Sequence, residues 1–132
     1  MNHVPPGAAE RKATPICTGV LDYFPDALLE VARVSKAGND QHNPGQPLHW
    51  AKEKSTDEPD ALLRHLIDRG KRDTDGQRHS AKVAWRALAL LQREIDAERA
   101  AAVLIPTDYV IKMMAVKDER PPDIFREYDR QA

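Results

Sequence analysis

The chain has little of what defines several common protein classes. It contains one cysteine, Cys17, among 132 residues, so no internal disulfide can form and the Cys/His spacing of a zinc site is absent. No stretch approaches the ~20 apolar residues that span a bilayer, and residues 1–13 lack the apolar segment of a signal peptide. We therefore expect a cytoplasmic protein that does not bind membranes.

The chain also lacks an excess of either charge and has few aromatic residues. The 20 basic and 21 acidic residues leave a formal net charge of -1, which lacks the basic field that non-specific nucleic-acid binding needs. Aromatic residues make up 5% of the chain, and no segment alternates apolar and polar residues for long enough to predict a strand. An all-α fold is predicted, and nucleic acid is not an expected partner.

Three segments show the i, i+3, i+4 apolar spacing of an amphipathic helix. The pattern predicts helices over residues 25–37, from a cap at residues 55–57 to Gly70, and over residues 78–102. Gly38 and Asn39 are plausible stop residues for the first helix. Between Asn39 and Ser55, a long loop is predicted by Asn43, Pro44, Gly45 and Pro47. Short helices are expected from Pro106 to Met113 and over residues 124–128.

We expect a flexible leader over residues 1–16, which show no periodicity, and a single α-helical domain over residues 17–132. The predicted architecture is a small helical bundle of three main helices plus short C-terminal helices. A single layer of three helices leaves the leucine face of the second helix and the alanine-rich face of the third uncovered. A homo-oligomer, either a dimer or a tetramer, is therefore expected.

The second helix carries a stripe of polar residues. Asp60, Arg64 and Asp68 follow one another at i+4 spacing, and His65 lies three residues before Asp68. These side chains can meet on one face as a metal or phosphate site, or form ordinary ion pairs on a solvated face. Spacing alone favours the solvated face.

The third helix places His79, Lys82 and Arg86 on one face. They can neutralise a phosphate, or form a solvated basic face, which spacing alone again favours. The same three residues also permit a local DNA-binding patch, the least favoured hypothesis because the overall charge is balanced. Trp85 lies nearer the apolar stripe and is interpreted as a core residue.

Two further features admit both a functional and a structural interpretation. Glu30, between Leu29 and Val31, either faces the interior and needs a partner such as Mg²⁺, or is exposed. The long loop contains aromatic and hydrogen-bonding residues, namely His42, Asn43, His49 and Trp50. These are typical of a base-recognition surface and equally of a loop pinned by one tryptophan.

Several short motifs occur in a fixed order along the chain. They are Leu29-Glu30-Val31-Ala32 with Lys36 and Gly38, then Trp50, then Ala61-Leu62-Leu63-Arg64-His65-Leu66, then Gly70 with Asp73 and His79. This order resembles the N-terminal domain of the dATP/dGTP diphosphohydrolases, a typically phage-encoded family distantly related to the MazG-type nucleotide pyrophosphohydrolases. The resemblance covers about residues 21–91, and the spacing from Arg64 to His79 is its most specific part.

The resemblance implies a MazG-like, oligomeric enzyme that acts in the cytoplasm, or in the host cytoplasm if phage-encoded. Such an enzyme uses Mg²⁺ or Mn²⁺ to hydrolyse a (deoxy)purine nucleoside triphosphate to the monophosphate and pyrophosphate. The metal ligands implied by the resemblance are Glu30, Asp73 and His79. The implied catalytic residues are Glu30, His65 and Asp73, and the implied substrate-binding residues are Lys36, Trp50, Arg64 and Lys82.

The chain departs from the pattern at three places. MazG-type enzymes carry a second acidic residue one helical turn after the first, but here Arg33 and Val34 lie three and four residues after Glu30. Directly after Gly70, Lys71 stands where the family usually has an acidic residue, and Lys82 stands where a second histidine often follows on the third helix. The alternative function is therefore a non-catalytic helical interaction protein that kept the fold and lost the metal site. The enzyme hypothesis predicts that Glu30, His65, Asp73 and His79 converge on one cleft, whereas the alternative lets them scatter.

Overall fold

The computed structural model describes residues 3–104 and 107–116. The helices are α1 (Ala8–Lys12), α2 (Pro25–His42), α3 (Glu58–Ile67), α4 (His79–Leu104) and α5 (Thr107–Val116). A π-helical turn spans Cys17–Leu21 and a 3-10 turn spans Lys52–Lys54. These described ranges contain no strand, only an isolated bridge between Arg72 and Arg78, so the all-α prediction is confirmed.

The chain divides into two units, Met1–Arg93 and Glu94–Ala132. The first contains α1 to α3 and the start of α4, and the second contains the end of α4 and α5. Helix α5 agrees with the helix expected after Pro106, while the helix expected over residues 124–128 lies outside the described residues. Helix α1 lies within residues 1–16, whose flexibility stays a prediction.

The starts of α2 and α3 follow from local sequence. Pro25 and Pro59 occupy their first turns, where the missing N–H has no intrahelical partner to lose. Asp57 is the N-cap of α3, within the predicted cap region, but its side chain does not cap the helix. That carboxylate instead accepts a hydrogen bond from Arg64 at 2.8 Å.

The predicted end of the first main helix is wrong, because α2 continues through Gly38 and Asn39 to His42. Asn39 is buried and uses its side chain to hold the following loop. Its Nδ2 donates to the Gln46 carbonyl at 3.2 Å, and its Oδ1 accepts from the His49 N–H at 3.1 Å. Asn39 therefore anchors the loop to α2 and does not end the helix.

Few apolar residues are buried in the described part of the chain. They are Ala61 of α3 and Ala81 and Ala89 of α4, whose small side chains allow helices to approach closely. The exposed apolar residues of α3 and α4 include Leu63, Leu66, Ile67, Leu88 and Leu91. None of the described helices combines the length and the apolar character of a membrane-spanning segment.

Candidate functional site

Three side chains that can bind a metal ion or transfer a proton meet near the start of α4. His65 lies on α3, His79 is the first residue of α4, and Asp73 lies in the turn between the two helices. One ligand atom from each residue lies within 4.8 Å of the others. We call these three residues the His–Asp cluster.

Backbone hydrogen bonds hold the turn that carries Asp73. The His79 N–H donates to the Lys71 carbonyl at 3.1 Å, and the Asp73 N–H donates to the Gln77 carbonyl at 2.8 Å. Gly76 adopts a φ of +80°, a left-handed conformation that glycine accepts without steric cost, and its N–H donates to the Asp73 carbonyl at 2.9 Å. These bonds fix the position of Asp73 relative to His79.

The two imidazoles of the cluster contact each other directly. Their Nδ1 atoms lie 3.0 Å apart and their ring centroids 5.2 Å apart, so one nitrogen donates and the other accepts. Partial burial lowers the pKa of His65, and electrostatic interactions with Lys82 and then His79 lower it further. His65 is therefore largely neutral at pH 7, the state in which an imidazole accepts a proton or binds a metal.

Lys82 connects the cluster to a second carboxylate. Its ammonium lies 2.7 Å from Asp73 Oδ2 and 2.7 Å from Asp75 Oδ2. The hydrogen bond from Lys82, followed by that from the Thr74 N–H, lowers the pKa of Asp73 to about 2. Partial burial lowers the pKa of Lys82, but its bonds to Asp73 and Asp75 outweigh that effect and raise it. Asp73 is thus an ionised, firmly held carboxylate.

Trp85, further along α4, packs against Trp50 of the loop after α2. Trp85 and Trp50 pack edge to face, with ring centroids 5.6 Å apart, and the Arg86 guanidinium lies 5.5 Å from the Trp85 ring. Arg86 also donates to Ser55 Oγ at 3.4 Å. The Trp50 Nε1 is buried and has no hydrogen-bond partner among the described residues, which leaves one polar donor beside an aromatic surface.

An ion pair between a buried glutamate and a partly exposed arginine links α3 to α4 and was not predicted from the sequence. Glu58 is 0% exposed, and its Oε2 accepts from Arg93 at 2.6 Å. Arg93 also donates to the Ser55 carbonyl. Burial raises the pKa of Glu58, but hydrogen bonds from Ser55, the backbone and Arg93 outweigh burial and lower it. The pair is therefore charged inside the first unit.

Glu30 lies outside the His–Asp cluster. It lines a groove of about 510 Å³ between α2 and α4, together with Asp26, Arg33 and Arg78. Its carboxylate pairs with Arg33 and lies 3.8 Å from the Arg78 Nε. Of the four residues expected to converge, the structure thus brings three together, and the metal-binding role of Glu30 stays a prediction.

Two of the predicted substrate-binding residues form ion pairs at the surface. Lys36 pairs with Asp40 and Arg64 pairs with Asp57, and the two cationic side chains are 65% and 63% exposed. Neither pair includes a residue of the His–Asp cluster. Asp75 was missed by sequence reasoning, although its position two residues after Asp73 in a glycine-containing turn was a usable signal.

One comparison with known proteins bears on this arrangement. A family model described as dATP/dGTP diphosphohydrolase, N-terminal, matches residues 6–102. No curated protein and no solved structure gives a significant match. The matched range contains the whole His–Asp cluster, Lys82 and the tryptophan pair.

Proposed function

The chain belongs to the family of dATP/dGTP diphosphohydrolase N-terminal domains, and from this we propose that it hydrolyses purine deoxynucleoside triphosphates to monophosphate and pyrophosphate. The observation that carries the proposal is the meeting of His65, Asp73 and His79 within the matched range. Ligands for a divalent ion and nearby cations are what phosphoryl hydrolysis needs.

Dependence on a divalent metal ion is part of the proposal, and the resemblance to the family implies Mg²⁺ or Mn²⁺ as that ion. The residues present fit a divalent cation, because one carboxylate and two imidazoles offer ligand atoms within 4.8 Å of one another. His65, Asp73 and His79 would hold the ion, and Glu30 remains a further predicted ligand. A bound divalent ion lowers the pKa of water and offsets phosphate charge.

The protein's own residues supply the remaining chemistry. The unprotonated nitrogen of His65 would serve as a ligand, and the attacking water, made acidic by the ion, would lose its proton to solvent. Before an ion binds, His79, whose Nδ1 lies 3.0 Å away, holds the His65 ring in one orientation by their shared hydrogen bond. Lys82 and Arg86 lie on the same face of α4 as His79, since separations of three and seven residues share a face. Their cations stabilise the triphosphate and the charge that develops on cleavage.

The tryptophan pair supports recognition of the base. The Trp50–Trp85 pair offers aromatic surface against which a purine packs. We therefore keep Trp50 as a proposed substrate-binding residue.

A second candidate function is favoured by one observation. The Lys82 ammonium already neutralises Asp73 and Asp75 at 2.7 Å each, as would be found if a lysine had replaced a metal ion. A non-catalytic helical interaction protein that kept the fold and lost the metal site would have this arrangement.

The experiment that separates the two functions is a nucleotide assay on the purified chain. Each common dNTP and NTP is incubated with Mg²⁺ or Mn²⁺, and the products are resolved by anion-exchange chromatography. We expect monophosphate and pyrophosphate from dATP and dGTP, and no products when the metal is chelated. Nucleoside diphosphate with phosphate, or nucleoside with triphosphate, would contradict the proposed reaction. No turnover of any nucleotide would favour the interaction protein.

We also propose a cytoplasmic homo-oligomer, a dimer or a tetramer. Five apolar residues of α3 and α4 are 40% to 75% exposed, namely Leu63, Leu66, Ile67, Leu88 and Leu91. A second copy would remove them from water. The free, exposed Cys17 is compatible with a reducing compartment.

Light scattering during size-exclusion chromatography tests the assembly. We expect a mass of two or four 14.8 kDa chains, and a monomer for Leu88→Lys, because burying an unpaired ammonium in an interface is unfavourable. The matched control is Leu48→Lys, a change at an exposed leucine in the loop after α2. A monomeric wild-type chain would disprove the assembly.

A further inference from the structure

We infer that the His–Asp cluster binds a divalent transition-metal ion in preference to Mg²⁺, and that Lys82, held by Asp75, sets the affinity for this ion. The inference rests on the proposed function for the role of the ion in turnover. The binding itself is measurable without nucleotide.

The donor atoms of the cluster favour a transition metal. Two of its three ligand atoms are imidazole nitrogens, which suit Zn²⁺, Co²⁺ and related ions. Mg²⁺ prefers oxygen ligands and gives up its water reluctantly. A site with two nitrogens and one carboxylate oxygen therefore discriminates against Mg²⁺, even where that ion is more abundant.

The imidazole geometry agrees with this donor set. The Nδ1 atoms of His65 and His79 lie 3.0 Å apart. Two nitrogens that each lie about 2.1 Å from one ion at the tetrahedral angle are about 3.4 Å apart. An ion can thus replace the shared proton once the two rings turn toward it and separate by about 0.4 Å.

Asp73 must release part of its bond to Lys82 in order to bind an ion. The second bond of Lys82, to Asp75, lowers the free-energy cost of that release. The Lys82 ammonium contacts Asp75 Oδ2 at the same 2.7 Å as Asp73 Oδ2. When Asp73 turns toward an ion, Lys82 retains one carboxylate partner and is not left as an unpaired, partly buried charge. The positive charge of Lys82 still opposes a nearby dication, so it lowers the affinity.

The first test titrates the full chain with Co²⁺, whose visible absorption reports on ligand type, and then adds Zn²⁺ or Mg²⁺ as competitor. We expect one Co²⁺ per chain, displaced by Zn²⁺ but not by excess Mg²⁺. His65→Ala and His79→Ala should each weaken Co²⁺ binding at least tenfold, roughly the scale of removing a supporting group from a metal site. His42→Ala, at an exposed histidine that ends α2, is the matched control and should bind as wild type does.

The second test addresses Lys82. Lys82→Met should bind Co²⁺ about tenfold more tightly, because the opposing charge is gone. Asp75→Asn should bind it more weakly, because Lys82 then depends on Asp73 alone. Unchanged affinity in both variants would overturn the assigned role of Lys82.

A measurement on the wild-type chain tests the inference even if the variants fail to fold. Zn²⁺ should shift the side-chain ¹⁵N signals of His65 and His79 and leave those of His42 and His49 in place. Zn²⁺ shifts confined to other histidines, or displacement of Co²⁺ by Mg²⁺, would overturn the inference. Zn²⁺ binding at this cluster without turnover would contradict the proposed enzyme only, whereas Mg²⁺-supported turnover with unshifted cluster histidines would contradict this inference only.

Discussion

Replacing Arg93 with methionine is expected to lower the free energy of unfolding by about 3 kcal/mol, the usual scale for breaking a buried ion pair. Glu58 is 0% exposed, and Arg93 is its cationic partner at 2.6 Å. Methionine fills much of the space of arginine but leaves the buried Glu58 carboxylate without its cationic partner. Urea denaturation followed by circular dichroism, at a fixed protein concentration, measures the loss.

Two further variants make this result interpretable. Arg69→Met removes an exposed arginine whose bond is to the Leu66 carbonyl and should cost less than about 0.5 kcal/mol. Adding Glu58→Gln to Arg93→Met should recover part of the loss, because a neutral amide is less costly to bury than a charge. Equal stability of Arg93→Met and Arg69→Met would show that the Glu58–Arg93 pair does not stabilise the first unit.

The helices were predictable because their signals are local. The i, i+3, i+4 apolar spacing and the prolines at the starts of α2 and α3 act within one or two turns, so all three main helices were found. The end of α2 was missed because an asparagine can either end a helix or remain helical and use its side chain to anchor the next loop. The side chain of Asn39 bonds Gln46 and His49, a choice that depends on a loop whose path the sequence does not specify.

The residues of the His–Asp cluster could be predicted from the sequence because they belong to the family pattern. His65, Asp73 and His79 are separated by a short turn, so their spacing fixes much of their geometry. Glu30 comes from a different helix, and whether it joins depends on how α2 packs against α4. In the structure its carboxylate pairs with Arg33 and lies near Arg78, cations that spacing alone did not single out as its partners.

The Glu58–Arg93 pair had no usable signal. Its members are 35 residues apart, and charged residues near the start of one helix and within another are usually solvated. Only the packing of α3 against α4 shows that they meet. The same holds for the Trp50–Trp85 pair, since Trp85 was predicted as a core residue without a partner.

Asp73→Asn is expected to lower the turnover of dATP and dGTP at least about 100-fold, within the range that a positioned acid–base or ligand group contributes. The change removes the negative charge that Lys82 and the Thr74 N–H hold in place. It also removes the carboxylate ligand from the His–Asp cluster while keeping the size of the side chain. The matched control is Asp68→Asn, because Asp68 is also an aspartate paired with a lysine, Lys71 at 2.8 Å, but lies outside the cluster.

The measurement that tests the central claim most directly is pyrophosphate release from dGTP and dATP by wild type, Asp73→Asn and Asp68→Asn under identical metal and nucleotide concentrations. The account predicts metal-dependent release by wild type and Asp68→Asn, with Asp73→Asn reduced at least about 100-fold while its folded structure is retained. Equal release by all three proteins would place the reaction away from the His–Asp cluster. Absence of release from wild type would contradict the assignment of diphosphohydrolase activity to this chain.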